Sequence, residues 1–320
     1  MTMIDKNLEI FNNMIQKAKS IVICSHISPD GDAIGSSTAL YLALKELGKE
    51  VYLYRNDSFP TNLSFLQNDD YYTDEDIETD LFIVTDVASL DRIGNGSKCF
   101  ELAKHSLCID HHTTNSGFFE ANIIEPSLSS TCELIASLLL EGGYKITKTI
   151  ATYLYLGITT DTNRFQYEST SDRTLMIASK LLKLGADKQL INLNLFESMN
   201  PDYLLLQAEV INKARIFNEG RFILASLSLE QLSRYNLDHD KTESLVSILK
   251  SIKGIELACL VKEDEEQVQK LSFRSKESID VSKLATEFGG GGHVRASGAT
   301  VNGNKDDVYK LLEKRMEELI

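Results

Sequence analysis

Short, uninterrupted apolar runs punctuate the first part of the chain: IVICS (21–25), VYLY (51–54), LFIVT (81–85) and LCI (107–109). None alternates cleanly between polar and apolar positions, which is the pattern of strands buried on both faces. Between and after them the apolar positions recur at helical spacing, over 5–19, from Ile34 to Leu47, and over 130–141, 148–159 and 171–184. Gly48 stands where a helix ends in the left-handed conformation, and Gly142 and Gly143 close the 130–141 segment in the same way. The intervening segments are of crossover length, so the pattern predicts an α/β fold with a mainly parallel sheet flanked by helices.

The pattern restarts near residue 220. RFILASLS alternates like a strand, 240–250 reads as a helix, and IELACLVKE (255–263) and VQKLSFRS (268–275) read as strands. A short helix over 280–287 leads into FGGGGH (288–293) and a strand over 297–301. A last helix places Val308, Leu311, Leu312, Met316 and Leu319 on one face. This predicts a smaller C-terminal α+β domain, set across a cleft from the first. The domain limits are 1–186 and 216–320, with a helical connector over 187–215 in which Pro201 starts a helix. The acidic run Glu263–Glu266 reads as a solvated hairpin tip.

A length of 320 residues fits two cores rather than one. No apolar run approaches the roughly 18 residues that span a bilayer. The N-terminus mixes charge with apolar residues and lacks the features of a secretion signal, and the chain is expected to have no membrane partner. Cys24, Cys99, Cys108, Cys132 and Cys259 form no CxxC pair, and read as small buried hydrophobes in a reducing compartment. The expected location is therefore the cytoplasm.

The net charge is −14; residues 1–215 hold 18 basic and 29 acidic side chains, and residues 216–320 hold 15 and 18. Binding along a long duplex needs a basic surface, so long nucleic acid is excluded as a partner. Phosphate can still bind at a local site built from metal, arginine or backbone N–H groups.

The candidate chemistry lies just after the predicted strands, where open α/β sheets bind ligands. His26, Asp30 and Asp32 follow the first strand in SHISPDGDAIGSS. This segment also reads as a plain Pro-Asp-Gly turn with Asp32 as a helix N-cap. Asp86 follows LFIVT, and Asp110, His111 and His112 follow LCI. Asp161, in GITTDTNRF, ends a helical run. Asp30, Asp32, Asp86 and Asp161 on one rim would repel each other unless cations neutralise them. Two divalent ions balance the four charges. Oxygen ligands with an imidazole suit Mn²⁺, with Mg²⁺, Co²⁺ or Zn²⁺ as alternatives.

The ordered set HxxxDxD, Asp, Asp-His-His, Asp resembles the four motifs of the DHH phosphoesterase superfamily. FGGGGHVRASG resembles the glycine-rich signature of its associated C-terminal domain in subfamily 1. The resemblance covers nearly the whole chain, and the compact length is similar to the bacterial nanoRNase and pAp phosphatase group. It implies that His26 and Asp30 hold one metal ion, that Asp32, His111 and Asp161 hold the other, and that Asp86 bridges them. Asp110 would orient a histidine and His112 would face the substrate phosphate. It also implies that Arg274, Gly290, Gly291, Gly292 and His293 grip substrate, with Arg295 as a less constrained member. Ser297 stands where the family often has alanine, a change expected to matter little. The glycine run also reads, on its own, as a flexible linker.

The implied activity is two-metal hydrolysis of RNA a few nucleotides long to mononucleotides, and of pAp to AMP and phosphate. Such a protein takes short RNA or nucleotides as its partners, and the resemblance allows a homodimer. The competing readings are hydrolysis of linear dinucleotides, a pyrophosphatase or exopolyphosphatase, and a non-catalytic nucleotide sensor. The GGGGH segment opposes the pyrophosphatase reading. The presence of all six candidate ligands opposes the sensor.

Overall fold

The computed structural model describes residues 3–237, 242 and 244–319. The chain divides into two compact units, Met1–Ser198 and Met199–Ile320. Residues 187–215, expected as one connector, are shared between the two.

The first unit opens with helix α1 (Met3–Lys17), strand β1 (Ser20–Ser25), helix α2 (Gly31–Glu46) and strands β2 (Glu50–Tyr54) and β3 (Tyr72–Thr73). Strand β4 (Leu81–Thr85) follows, then a 3-10 segment (Leu90–Gly96), helix α3 (Ser97–Leu102) and strands β5 (His105–Asp110) and β6 (Ala121–Ile124). Helices α4 (Thr131–Glu141), α5 (Lys148–Asp161), α6 (Asp172–Lys183) and α7 (Lys188–Leu195) complete it. All six strands are parallel, in the order β3-β2-β1-β4-β5-β6. The order reverses at β1 and β4, so the carboxyl ends of these neighbours flank the crevice where such sheets bind ligands. The run LFIVT is buried at every position, as its lack of alternation predicts.

The core between the sheet and α1, α2, α4 and α5 includes Phe11, Ile21, Ile23, Leu40, Leu44 and Ile83. A second cluster on the other face holds Val22, Phe82, Val84, Cys99 and Cys108. Three glycines let α5 pack closely on α2 and α4. A Cβ at Gly31 would strike the Thr160 side chain, one at Gly35 would strike Tyr153 O, and one at Gly157 would strike Cys132 Sγ. Helix α2 starts at Gly31, earlier than the sequence pattern suggests, because Asp30 rather than Asp32 is its N-cap.

The second unit comprises α8 (Pro201–Lys213), β7 (Arg215–Phe217), β8 (Phe222–Leu227), α9 (Leu229–Arg234), α10 (Leu245–Ser251), β9 (Leu257–Glu265) and β10 (Val268–Ser275). It ends with α11 (Val281–Glu287), β11 (Gly291–His293), β12 (Ala296–Asn302) and α12 (Lys305–Glu317). The strand order is β11-β12-β10-β9-β8-β7, antiparallel except for β8 beside β9. In the helix expected over 240–250, residues 240, 241 and 243 lie outside the described residues.

Three expectations are corrected here. Residues 214 and 215 leave the helix, because Ala214 is extended and Arg215 begins β7. The hairpin tip narrows to Glu266 and Gln267, because β9 runs on to Glu265. Leu311 faces outward, 53% exposed, while Val308, Leu312 and Met316 pack inward; a spacing of 4 residues keeps these three on one side and turns Leu311 away.

Candidate metal centre

Each candidate ligand sits where a secondary-structure element ends. His26 leaves β1, Asp30 caps α2, Asp32 lies in its first turn, Asp86 leaves β4, His111 leaves β5, and Asp161 is the last residue of α5. Three sets of potential ligand atoms result, His26 with Asp30 and Asp86, Asp32 with His111 and Asp161, and Asp86 with His111 and His112, each mutually within 4.8 Å, and the first two share no residue. His26 Nε2 lies 3.6 Å from Asp86 Oδ2 and 3.9 Å from Asp30 Oδ1. His111 Nε2 lies 3.2 Å from Asp161 Oδ2, 3.8 Å from Asp86 Oδ1 and 3.9 Å from Asp32 Oδ2. Asp86 therefore faces both of the first two sets.

The supporting contacts fix these side chains. Asp32, 1% exposed, accepts from the Thr131 and Cys132 backbone N–H groups at 2.7 and 2.9 Å. Both of its oxygens thus rest on the N-terminus of α4, where the helix dipole favours negative charge. Asp86 has a left-handed φ of 59°, a conformation that aspartate tolerates better than most residues but that costs about 1 kcal/mol or more. Its N–H donates to Ile109 O at 3.0 Å, and its Oδ1 accepts from Thr131 Oγ1 at 3.1 Å.

The three imidazoles share one arrangement. His26 Nδ1 is 2.7 Å from Ile27 O, His111 Nδ1 is 3.3 Å from Leu128 O, and His112 Nδ1 is 2.8 Å from Asp110 Oδ1. With the proton on Nδ1 each ring donates to that oxygen and keeps the Nε2 lone pair for a ligand. His112 and Asp86 also approach, at 3.7 Å, but through the Nδ1 already committed to Asp110. The fully buried Asp110 accepts in turn from Asn115 Nδ2 at 2.8 Å, and Asn115 also donates to Val87 O.

The titration pattern shows what the site lacks when only protein groups are counted. Burial, then Asp86 and Asp161, push the Asp32 carboxyl well above the usual range. Burial and Asp86 raise Asp30 as well. Burial disfavours the His111 imidazolium, yet the facing Asp161, Asp32 and Asp86 carboxylates outweigh it and lift the ring to about 10. Burial likewise opposes charge on Asp86, but the His26 imidazole 3.6 Å away and those of His111 and His112 hold it below the usual range. Asp30, Asp32 and the three imidazoles are drawn toward their protonated forms, which is the behaviour of a site short of positive charge. Divalent cations supply that charge, and the carboxylate and imidazole donors fit them.

Residues 20–158 match the family model described as the DHH family, N-terminal domain, and residues 220–319 match the DHHA1 domain. The chain is 32% identical over 304 residues to the bifunctional oligoribonuclease and PAP phosphatase NrnA of Thermus thermophilus, covering 93% of this chain and 90% of that one. The chain belongs to the DHH family. It is a phosphoesterase of that family, and its centre is one for divalent metal ions. The NrnA of Bacillus subtilis is 29% identical over 287 residues, 88% of this chain and 89% of that one. A solved exopolyphosphatase-related protein from Bacteroides fragilis superposes with a TM-score of 0.87 at 31% identity, covering 98% of this chain and 96% of that one. Manganese-bound RecJ from Thermus thermophilus shares the fold at 14% identity, with a TM-score of 0.53, over 99% of this chain and 54% of that one. Among the described residues, no helix is long and apolar enough to cross a membrane.

In the second unit, the second half of the glycine run is a strand rather than a linker: Gly291–His293 pairs with Ala296–Gly298 as a hairpin. Gly290 and Gly292 are required by that pairing, since a Cβ on either would strike β12, and Gly292 has a φ of 139°. Gly291 and His293 are exposed. Arg274, half-buried on β10, donates to Phe273 O at 2.9 Å, and Arg295 donates to Ile279 O at 2.8 Å. Ser297 donates to Val281 O at 2.6 Å, joining β12 to the start of α11.

Sequence reading missed Thr131, Asn115 and Arg92, which hold Asp86, Asp110 and the His26 loop. The available signal was their position: each lies within a few residues of a strand end or helix start on the ligand-bearing edge.

Proposed function

We propose that the chain hydrolyses RNA a few nucleotides long to mononucleotides and pAp to AMP and phosphate, with Mn²⁺ as its metal. The observation that carries this reading is the convergence of two ligand sets with Asp86 between them. His26 and Asp30 would hold one ion, Asp32, His111 and Asp161 the other, and Asp86 would serve both. When bound, the two ions supply an activated water and stabilise the charge that develops on the phosphoryl oxygens.

The chain's own groups supply the rest. The α4 N-terminus keeps Asp32 in place, and Thr131 keeps Asp86 in place. Asp110 holds the Nδ1 proton of His112 and pushes the ring toward its charged form, so that a protonated Nε2 would donate to a substrate phosphate. In the second unit, the exposed Gly291 backbone and His293, with Arg274 and Arg295, are the proposed substrate-binding groups. The names of the NrnA relatives support this substrate class. Five buried free thiols support a cytoplasmic location.

The test is turnover with Mn²⁺ of pAp, pApA and short RNA, in the wild type and in Asp86→Ala and His111→Ala. The expected result is turnover of short RNA and pAp, lost by at least about 100-fold in either variant. Unchanged rates in both folded variants would sink the proposal.

A further inference from the structure

We propose that Arg92 is a positioning residue that clasps the His26 loop and fixes the imidazole in its ligand orientation. Arg92 lies in the 3-10 segment Leu90–Gly96, downstream of Asp86. Two bonds tie it to the loop after β1: Ile27 N–H donates to Arg92 O at 2.9 Å, and Arg92 Nη2 donates to Ile27 O at 3.2 Å. The same Nη2 lies 3.0 Å from His26 Nδ1. A half-buried guanidinium ordinarily pairs with a carboxylate. Here its partners within hydrogen-bond distance are a carbonyl and the back of an imidazole.

The two contacts at His26 Nδ1 cannot both be hydrogen bonds. If Nδ1 accepted from Arg92, Nε2 would carry the proton and could not ligate. If Nδ1 carries the proton it donates to Ile27 O at 2.7 Å, and Nε2 faces Asp30 and Asp86 with a free lone pair. Ile27 O then accepts from both the ring and the guanidinium, and that shared carbonyl sets the ring plane. The two segments are pinned on the other side of His26 as well. Asn56 donates to Ser25 O at 2.9 Å and accepts from Gly96 N at 3.1 Å. Gly94, with a φ of 50°, sits where a Cβ would strike Ile27 Cγ2. His26 is therefore held between two fastenings, of which Arg92 is the one that touches the ring.

The proposal rests on the two-ion reading above. Mn²⁺ is titrated by calorimetry into wild type, Arg92→Met and Arg92→Lys, with thermal melts to check folding and pAp turnover at saturating Mn²⁺. Wild type is expected to take two ions. Arg92→Met should keep one at wild-type affinity and bind the other about 10- to 100-fold more weakly, with KM for pAp unchanged at saturating metal. Arg92→Lys, which retains a donor for Ile27 O, should recover most of the loss. If Arg92→Met does not fold, Arg92→Gln is read in its place. Unchanged affinity at both sites overturns the clasp, as does a rise in KM without any loss of metal affinity, which would make Arg92 a substrate contact. Wild type taking fewer than two ions would instead overturn the two-ion reading itself.

Discussion

The two units place their polar groups in opposite ways. In the first, strands buried on both faces end in charged side chains that are themselves buried, with Asp86 2% exposed and His26 6%. Each is held by partners distant in sequence, such as Asp32 on the backbone of Thr131 and Cys132. In the second, β10 alternates buried and more open positions, and the candidate groups Gly291, His293 and Arg295 lie at the surface. Buried charges need a rigid frame and a compensating ion. Exposed backbone and side chains need neither, and adapt to a ligand at little cost. The first arrangement suits chemistry at one fixed point, and the second suits gripping a substrate.

The contrast can be broken most severely at Gly157. Gly157→Ala would press a methyl group onto Cys132 Sγ and against Asp32 Oδ1. Displacement of that carboxylate should lower turnover by about 100-fold and stability by about 1–3 kcal/mol, as read by rates and denaturant unfolding. Next is metal removal. Mn²⁺ at about 100 times its Kd stabilises the native state by about 2.7 kcal/mol per ion. Amide exchange in β1, β4 and β5 should therefore slow on adding Mn²⁺, with β9 and β10 unaffected; equal slowing in both sheets would erase the distinction.

In the second unit, Gly292→Ala forces a side chain into a positive φ and onto β12 and should cost about 1–3 kcal/mol. Gly291→Ala, with open space around it, should stay within about 0.5 kcal/mol. Matching costs at the two positions would contradict the hairpin geometry. Ser297→Ala, which removes the bond to the Val281 carbonyl, should cost about 1 kcal/mol in urea melts, between the other two.

The candidate ligands could be singled out in the sequence because they are the rare polar residues that interrupt apolar runs at element ends. Their supports were not, because the bonds span long sequence gaps: Thr131 reaches Asp86 across 45 positions and Cys132 reaches Asp32 across 100. Spacing along a chain carries no mark of such partners. The N-cap assignment on α2 went to Asp30 because local bonds to Asp32 N and Ala33 N decide it, whereas Asp32 is claimed by a different helix. The edge strand β6, with Asn122 inside it, and the two-residue β3 are too short and mixed to show a period. In the second unit, alternation located β10, whereas β8, expected to alternate, is buried at five of its six positions, and the glycine run carried no side-chain pattern from which a strand could be read.

The arrangement of the parallel sheet has a kinetic consequence. His26 meets Asp86 only after β1 has found β4, and Asp161 meets Asp32 only after α5 has docked on α2, so the centre is built mainly from contacts between remote stretches of chain. Such contacts form late and slowly. An ion that recognises the finished arrangement should leave the refolding rate nearly unchanged and act instead as a brake on unfolding.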